Sequence, residues 1–416
     1  GHNAAAFTGF GGVCSGCGGA SLSMTAAVLL CLPAVRGASA GGGVRLASLF
    51  SDHMILQRGK PVPVWGWAEP GTSCAVGFAG QRKGTAAGED GRWEIVLDPL
   101  EASAEGRVLT VRCGEGVVAT RADVLVGDVW LAAGQSNMNM SMAPFPPWHE
   151  GVLQYESEIA AADHPELRLF HVARGPSCRE RRDVIGTWRV CDPESVRHFS
   201  GVAYYFSRKL LRETGVPQGV ILAAMGSTSI QHWRNPERLR FTEEARTRLA
   251  EDRERCAAHA EAVSLYEERL SGYAEKWRRH PNPQEVPPPP EPFPGHTFVT
   301  GGCYNAMLAP VVPYGLRGVA WYQGEADARW PAPYRAQLAD FIAQLREEWA
   351  DPSLFFVFAQ LADYDPTLKD PELAALGPYW ARMRDVQLEV HRQVPNTGLA
   401  VTADAGQVDY IHPRDK

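Results

Sequence analysis

The chain has 416 residues, 41 Lys and Arg against 48 Asp and Glu, and a formal charge of -7. That balance leaves no basic footprint for nucleic acid, and no apolar run approaches the ~18 residues that a bilayer-spanning helix needs. The length exceeds one average domain, so two are expected, with ample material for a core.

Residues 1–40 read as a leader and signal peptide. Gly1 to Ala20 is rich in Gly, Ala and Ser. Ala26 to Val35 is a short apolar core, and Ala38-Ser-Ala40 has the small residues of a signal-peptidase site. Arg36 is the first charged residue, so the usual basic flank is missing; Met24 reads as the natural start, with an ordinary disordered leader as the alternative. Cys14-x-x-Cys17 has metal or redox spacing but no second pair to complete a site. Three of the nine Cys fall in the leader. The other six permit disulfides in an exported chain. Cys74 with Cys113 and Cys178 with Cys191 are the expected pairs, and buried free thiols are the alternative.

Residues 44–122 read as a β-sandwich. Val62–Trp67, Cys74–Phe78, Trp93–Leu97 and Val108–Arg112 are short runs of strand formers, separated by Gly, Pro and Asp. Glu89-Asp-Gly-Arg92 is a hairpin signal. The Trp residues here fit core packing better than sugar binding.

From residue 123 to 416 strands alternate with helices, which predicts a parallel, three-layer α/β/α sheet. Val124–Ala133, Leu167–Val172, Val220–Ala224, Gly318–Trp321, Leu354–Ala359 and Gly398–Thr402 read as strands. Ser200–Thr214, Tyr334–Trp349 and Pro378–Val394 read as helices. Residues 237–298 form an insertion: first long exposed helices, then a Pro-dense extended run over 281–294.

Three strands end in polar residues. The first is followed by Gly134, Gln135, Ser136 and Asn137, and open α/β sheets bind ligands at such strand ends. Met138 excludes the Gly-x-Ser-x-Gly elbow. Alone, Ser136 and Asn137 could serve only as a turn or helix cap. A distant Asp409-Tyr-Ile-His412-Pro413 changes that reading, because it offers a serine nucleophile both a base and a group to hold the base. Asp404 is a second candidate for the holding group. The third strand end carries Gln323, Gly324 and Glu325. No His/Asp cluster has metal-ligand spacing, so neither metal nor cofactor is expected.

Gly-Gln-Ser-Asn-Met (134–138), Trp-Tyr-Gln-Gly-Glu (321–325) and Asp-x-x-His-Pro (409–413), in this order, resemble the sialate O-acetylesterase family of the SGNH (GDSL-like) hydrolases. Asp52–Gln57 and Pro63–Trp67 resemble its amino-terminal β domain, so the likeness runs from about Leu46 to Lys416. The resemblance implies a flavodoxin-like catalytic domain behind a β-sandwich without chemistry of its own, with a terminal helix beyond Lys416. It implies Ser136, Asp409 and His412 as the catalytic triad. Gln323 and the amides of Ser136 and Gly226 are then the oxyanion donors. Gly226 opens Met225-Gly-Ser-Thr-Ser-Ile-Gln-His-Trp233, where Ser227 replaces the family's second Gly. Gln135, Asn137 and Glu325 are expected to support the site, and Trp148, Trp233 and Trp330 to stack on sugar, with core packing as the alternative for Trp233. The implied function is an exported esterase cleaving O-acetyl esters of carbohydrates, sialic acids first. The alternatives are an esterase for acetylated plant or algal polysaccharide and a non-catalytic carbohydrate-binding protein on the same fold.

Overall fold

Period-two alternation organises the first part of this computed structural model, which describes residues 44–241, 243–258, 260–279 and 299–416. The leader and the Pro-dense run lie outside the described residues. Eight strands come first: β1 (Arg45–Leu46), β2 (Ile55–Gln57), β3 (Val62–Trp67), β4 (Ser73–Phe78), β5 (Gln81–Ala86), β6 (Arg92–Leu97), β7 (Ser103–Cys113) and β8 (Gly116–Gly134). β1, β3 and β6 make one antiparallel sheet; β4, β5, β7 and the start of β8 make a second. Every other residue of β4 and β6 points inward, burying Cys74, Val76 and Phe78 on one and Trp93, Ile95 and Leu97 on the other. Trp65 and Trp93 are core residues, as packing predicts.

β8 is 19 residues long and serves two sheets. Its first part pairs with β7, and its last seven residues, Asp128–Gly134, pair in parallel with β11 (Gln218–Ala224). The strand runs straight through positions 122 and 123, where the composition changes, and the described residues form one compact unit.

The remaining strands are β9 (His164–His171), β10 (Trp188–Cys191), β12 (Gly318–Tyr322), β13 (Phe355–Ala359) and β14 (Thr397–Ala400). The central sheet has the order β10-β9-β11-β8-β12-β13-β14, parallel except for the antiparallel edge strand β10. This is the predicted α/β/α architecture. β11 and β12 are buried along their whole lengths, so they read as continuous apolar runs. Each buried Leu, Ile or Val there contributes about 1.5–3 kcal/mol, which makes the carboxyl ends of these strands firm anchors for loops.

The helices are α1 (Ser136–Asn139), α2 (Tyr155–Ala160), α3 (Pro193–Arg197), α4 (Gly201–Thr214), α5 (Glu243–Ala258), α6 (Ala260–Arg279), α7 (Pro331–Glu348) and α8 (Tyr379–Gln393). The Ser200 hydroxyl caps α4 by accepting from Ala203 N–H at 3.0 Å, and Gly215 stops it in the left-handed conformation. α5 and α6 are the predicted helices of the insertion.

The expected Cys74–Cys113 disulfide is present, joining β4 to β7. The expected Cys178–Cys191 pair is not: Cys178 bonds Cys256 on α5, and Cys191 is a buried thiol at the end of β10. Spacing along the chain favoured the near partner, whereas the fold returns the insertion to Cys178 from 78 residues away.

Candidate active site

The site begins with a close approach of two strands. Gly134 has φ 142°, and a Cβ there would lie 2.1 Å from the Tyr322 carbonyl oxygen, so only Gly lets β8 end against β12 in this way. The same carbonyl accepts from Gln135 N–H at 2.9 Å. Ser136 then starts α1, partly exposed, and its N–H lies at the unsatisfied end of a helix.

Gly226, just past β11, packs on this serine; a Cβ on it would lie 3.5 Å from Ser136 Cβ. Met225 N–H, donating to Gly134 O at 3.0 Å, holds the two turns together. Ser227 stands at φ 61°, the left-handed region that the family's Gly adopts without cost.

The polar neighbours of Ser136 are structural ties. The buried Gln135 Oε1 accepts from Gln323 Nε2 at 3.2 Å, Gly324 N–H at 3.3 Å and Ala326 N–H at 3.2 Å, shaping the turn after β12. Asn137 donates to Glu325 Oε1 at 2.6 Å and to the Ile411 carbonyl at 3.0 Å, and accepts from Lys416 Nζ at 2.5 Å. One side chain thus joins the ends of β8 and β12 to the loop that carries His412. Burial raises the Glu325 pKa, although the Asn137 bond opposes this.

Gln323 departs from the oxyanion role that the resemblance implies. Its Nε2 also meets Thr228 O at 3.1 Å and Asp327 Oδ2 at 2.6 Å, while Tyr334 donates to its backbone carbonyl. Exchanging its amide O and N would set an oxygen against these acceptors, so the orientation is settled. Both amide protons are engaged inside the protein. Asp327 also accepts from Ile230 N–H at 2.8 Å, and burial raises its pKa to about 6. Gln323→Ala should therefore destabilise the fold by about 1–3 kcal/mol, because it leaves Asp327 short of a donor. Denaturant melts check this; an unchanged melt with a roughly hundredfold loss of turnover would restore the oxyanion role.

His412 is half-buried, edge-on to the Tyr410 ring at 5.9 Å. Burial lowers its pKa to about 4, Lys416 and Lys369 push the same way, and a hydrogen bond with the Trp148 carbonyl pushes back. His149 sits nearby, also lowered to about 4 by burial and by His412. Asp409 is exposed at the tip of a turn closed by Tyr410 N–H to Gln407 O at 3.0 Å, and no hydrogen bond joins it to His412. The structure therefore does not bring this pair together. Asp404 is exposed as well.

Of the three Trp candidates, Trp148 and Trp330 are 65% and 60% exposed. Trp233 is not a stacking surface: it is fully buried, edge-on to Trp321 at 5.9 Å, with its Nε1 donating to Thr228 Oγ1. Sequence reasoning missed Asp327, Lys416 and His149. Asp327 had a signal, two residues past Glu325 on the same turn. Lys416 and His149 had none, because only loop packing brings them here.

A serine on a Gly turn at the end of a parallel strand, beside a second Gly turn and a His-bearing loop, defines a hydrolase of the SGNH type. Residues 299–415 match the family described as carbohydrate esterase, sialic acid-specific acetylesterase. The sialate O-acetylesterase of Rattus norvegicus is 27% identical over 94% of this chain and 74% of its own length. That of Homo sapiens is 26% identical over 91% and 69%. A carbohydrate acetylesterase from Xanthomonas citri superposes with a TM-score of 0.68 at 29% identity, over 89% of this chain and 71% of its own. The chain is thus similar to the sialic acid-specific acetylesterases among the carbohydrate esterases, and it is a carboxylic ester hydrolase.

Proposed function

We propose that this protein is a serine esterase that removes O-acetyl groups from carbohydrates, O-acetylated sialic acids first. The observation that carries the reading is Asn137, which draws the Ser136 turn, the β12 turn and the His412 loop to one point. His412 takes the Ser136 hydroxyl proton as Oγ attacks the acetyl carbonyl. The N–H groups of Ser136 and Gly226 receive the oxyanion; Gly226 N–H has no acceptor among the described residues. On collapse His412 returns the proton to the sugar oxygen, and the sugar alcohol leaves. Water, deprotonated by His412, then cleaves the acetyl-enzyme to acetate and restores Ser136. Gln135, Asn137, Glu325 and Gln323 hold the loops in this geometry.

Acetate release from a panel of acetylated sialic acids, xylan and other glycans tests the reading. Turnover on sialates that resists chelator supports it; no hydrolysis of any acetyl ester would overturn it. Turnover confined to polysaccharide would favour the second reading, which rests on Trp148 and Trp330. Two exposed indoles beside the site suit sugar faces. Trp148→Ala and Trp330→Ala should raise KM for glycans by about tenfold each, a loss of ~1.4 kcal/mol, while KM for a small chromogenic ester stays the same. Equal KM for both substrate types would remove the stacking role.

Export is part of the proposal. Two disulfides suit an oxidising compartment, and no helix among the described residues is long and apolar enough to cross a membrane.

A further inference from the structure

We infer that Lys416 is a positioning residue of the esterase: its ammonium clamps the amide of Asn137 and so sets the His412 loop against the Ser136 turn. The inference deepens the reading of Ser136 as nucleophile and His412 as base, and it rests on that reading.

Asn137 stands between a cation and an anion. Lys416 Nζ donates to its Oδ1 at 2.5 Å, and its Nδ2 donates to Glu325 Oε1 at 2.6 Å and to the Ile411 carbonyl at 3.0 Å. An ammonium has donors only, so the amide oxygen must face Lys416 and the nitrogen must face the two acceptors. Every hydrogen-bonding partner of this side chain thus agrees on one orientation, and both Nδ2 protons are used. A cation on the oxygen and a carboxylate on the nitrogen polarise the amide, so each bond strengthens the others. The second Glu325 oxygen, Oε2, is buried and has no hydrogen-bond partner among the described residues. The positive charge on the far side of the amide therefore carries more weight in keeping this carboxylate in place.

These bonds bracket the histidine. Ile411 is one residue before His412 and Lys416 is four residues after it. Both meet the side chain of the residue that follows Ser136. The tether at Ile411 alone would let the loop pivot, and the second tether at Lys416 removes the pivot. Lys416 is itself directed. Its stem passes the start of α4, where a Cβ on Gly201 would lie 3.8 Å from Lys416 Cγ, and its Nζ lies 5.6 Å from the centre of the Tyr322 ring at the end of β12. Two residues earlier, Arg414 O accepts from Leu153 N–H at 3.0 Å, and the Arg414 guanidinium donates to Gly151 O at 3.2 Å. A misplacement of about 1 Å in a reacting group can cost about a hundredfold in rate. A clamp of this kind therefore acts on turnover and not on substrate binding.

The test follows kcat and KM for a small chromogenic acetyl ester and for an O-acetylated sialic acid, with circular dichroism on the full chain and each variant. Lys416→Met keeps the apolar stem and removes the donor. It should lower kcat for both substrates by about ten- to a hundredfold and leave both KM values within about twofold. Its inactivation by a fluorophosphonate, which reports the reactivity of Ser136, should slow in parallel. Lys416→Arg, which keeps charge and donors, should lose less than Lys416→Met. Lys416→Met combined with Glu325→Gln should lose less than the product of the single effects, because the two charges act through one amide. Should Lys416→Met not fold, Asn137→Asp carries the test: it keeps an oxygen for Lys416, removes the donors to Glu325 and Ile411, and should show the same loss in kcat. A folded Lys416→Met or Asn137→Asp with kcat within about twofold of wild type would overturn the inference. So would strictly multiplicative effects of the Lys416 and Glu325 substitutions. A loss confined to KM for the sialate would also overturn it and make Lys416 a contact for the substrate carboxylate. His412→Ala separates the two levels: if it folded and kept activity, the reading of the base would fail and this inference with it. If it lost activity while Lys416→Met kept the wild-type kcat, the base would stand and only the role of Lys416 would fall.

Discussion

Ser136→Ala should lower kcat/KM for an acetyl ester by roughly four to six orders of magnitude, as loss of a serine nucleophile does in other hydrolases. The effect should fall on chemistry and not on folding. The side chain of Ser136 is partly exposed, and the turn around it is held by Gln135, Asn137 and the Gly134 backbone. Thermal melts of the variant should match wild type within about 0.5 kcal/mol, the range of a surface change. A fluorophosphonate probe should add its mass to Ser136 in the wild type and to nothing in the variant. Retention of more than about a tenth of the wild-type rate, in preparations free of other esterases, would refute the assignment.

His412→Ala should nearly abolish activity, with the same requirement of an intact fold. The pH profile carries more information. An unperturbed imidazole would lose its base form below about pH 6.5. Here burial, Lys416 and Lys369 lower the pKa to about 4, so the neutral, competent form persists to that pH. The acid limb of kcat/KM should therefore fall near pH 4. The fold itself will press from the same side. His149 and His232 are lowered to about 4 and His171 to about 3, all chiefly by burial. Below about 6.5 the unfolded chain binds protons at these sites and the native state does not. Stability is then complete above that pH and declines as pH drops toward 4. Activity must be read with circular dichroism at each point, and an acid limb near 6.5 in folded protein would contradict the environment assigned to His412.

Much of the architecture was legible in the chain because its cues are local. The strands of the central sheet are buried on both faces, so they appear as apolar runs that no helical period explains. Gly134 marked its turn because the close approach to Tyr322 excludes any side chain. α4 had Ser200 before it and Gly215 after it, and its ends fall there. The order of three polar strand ends pointed to one rim, and hydrogen bonds of Gln135 and Asn137 tie those turns together.

What stayed hidden depends on partners far away in the chain. Spacing pointed Cys178 to Cys191, and only the returning insertion brings Cys256 to it instead. Gln323 could read as an oxyanion donor until Thr228 and Asp327 arrive to take its protons. Trp233 could read as a sugar platform until Trp321 covers it.

The residue types and their order, by themselves, determined the class of fold, the serine turn and the histidine loop, since strand periodicity and glycine sterics act over a few neighbouring residues. The tertiary structure alone decided what touches the histidine. Asp409 lies three positions away yet turns to solvent, while residues 148–153 dock against the histidine loop from the far side of the sequence. A hydrogen bond is set by direction and distance in space, and no spacing along the chain encodes the docking of one loop against another.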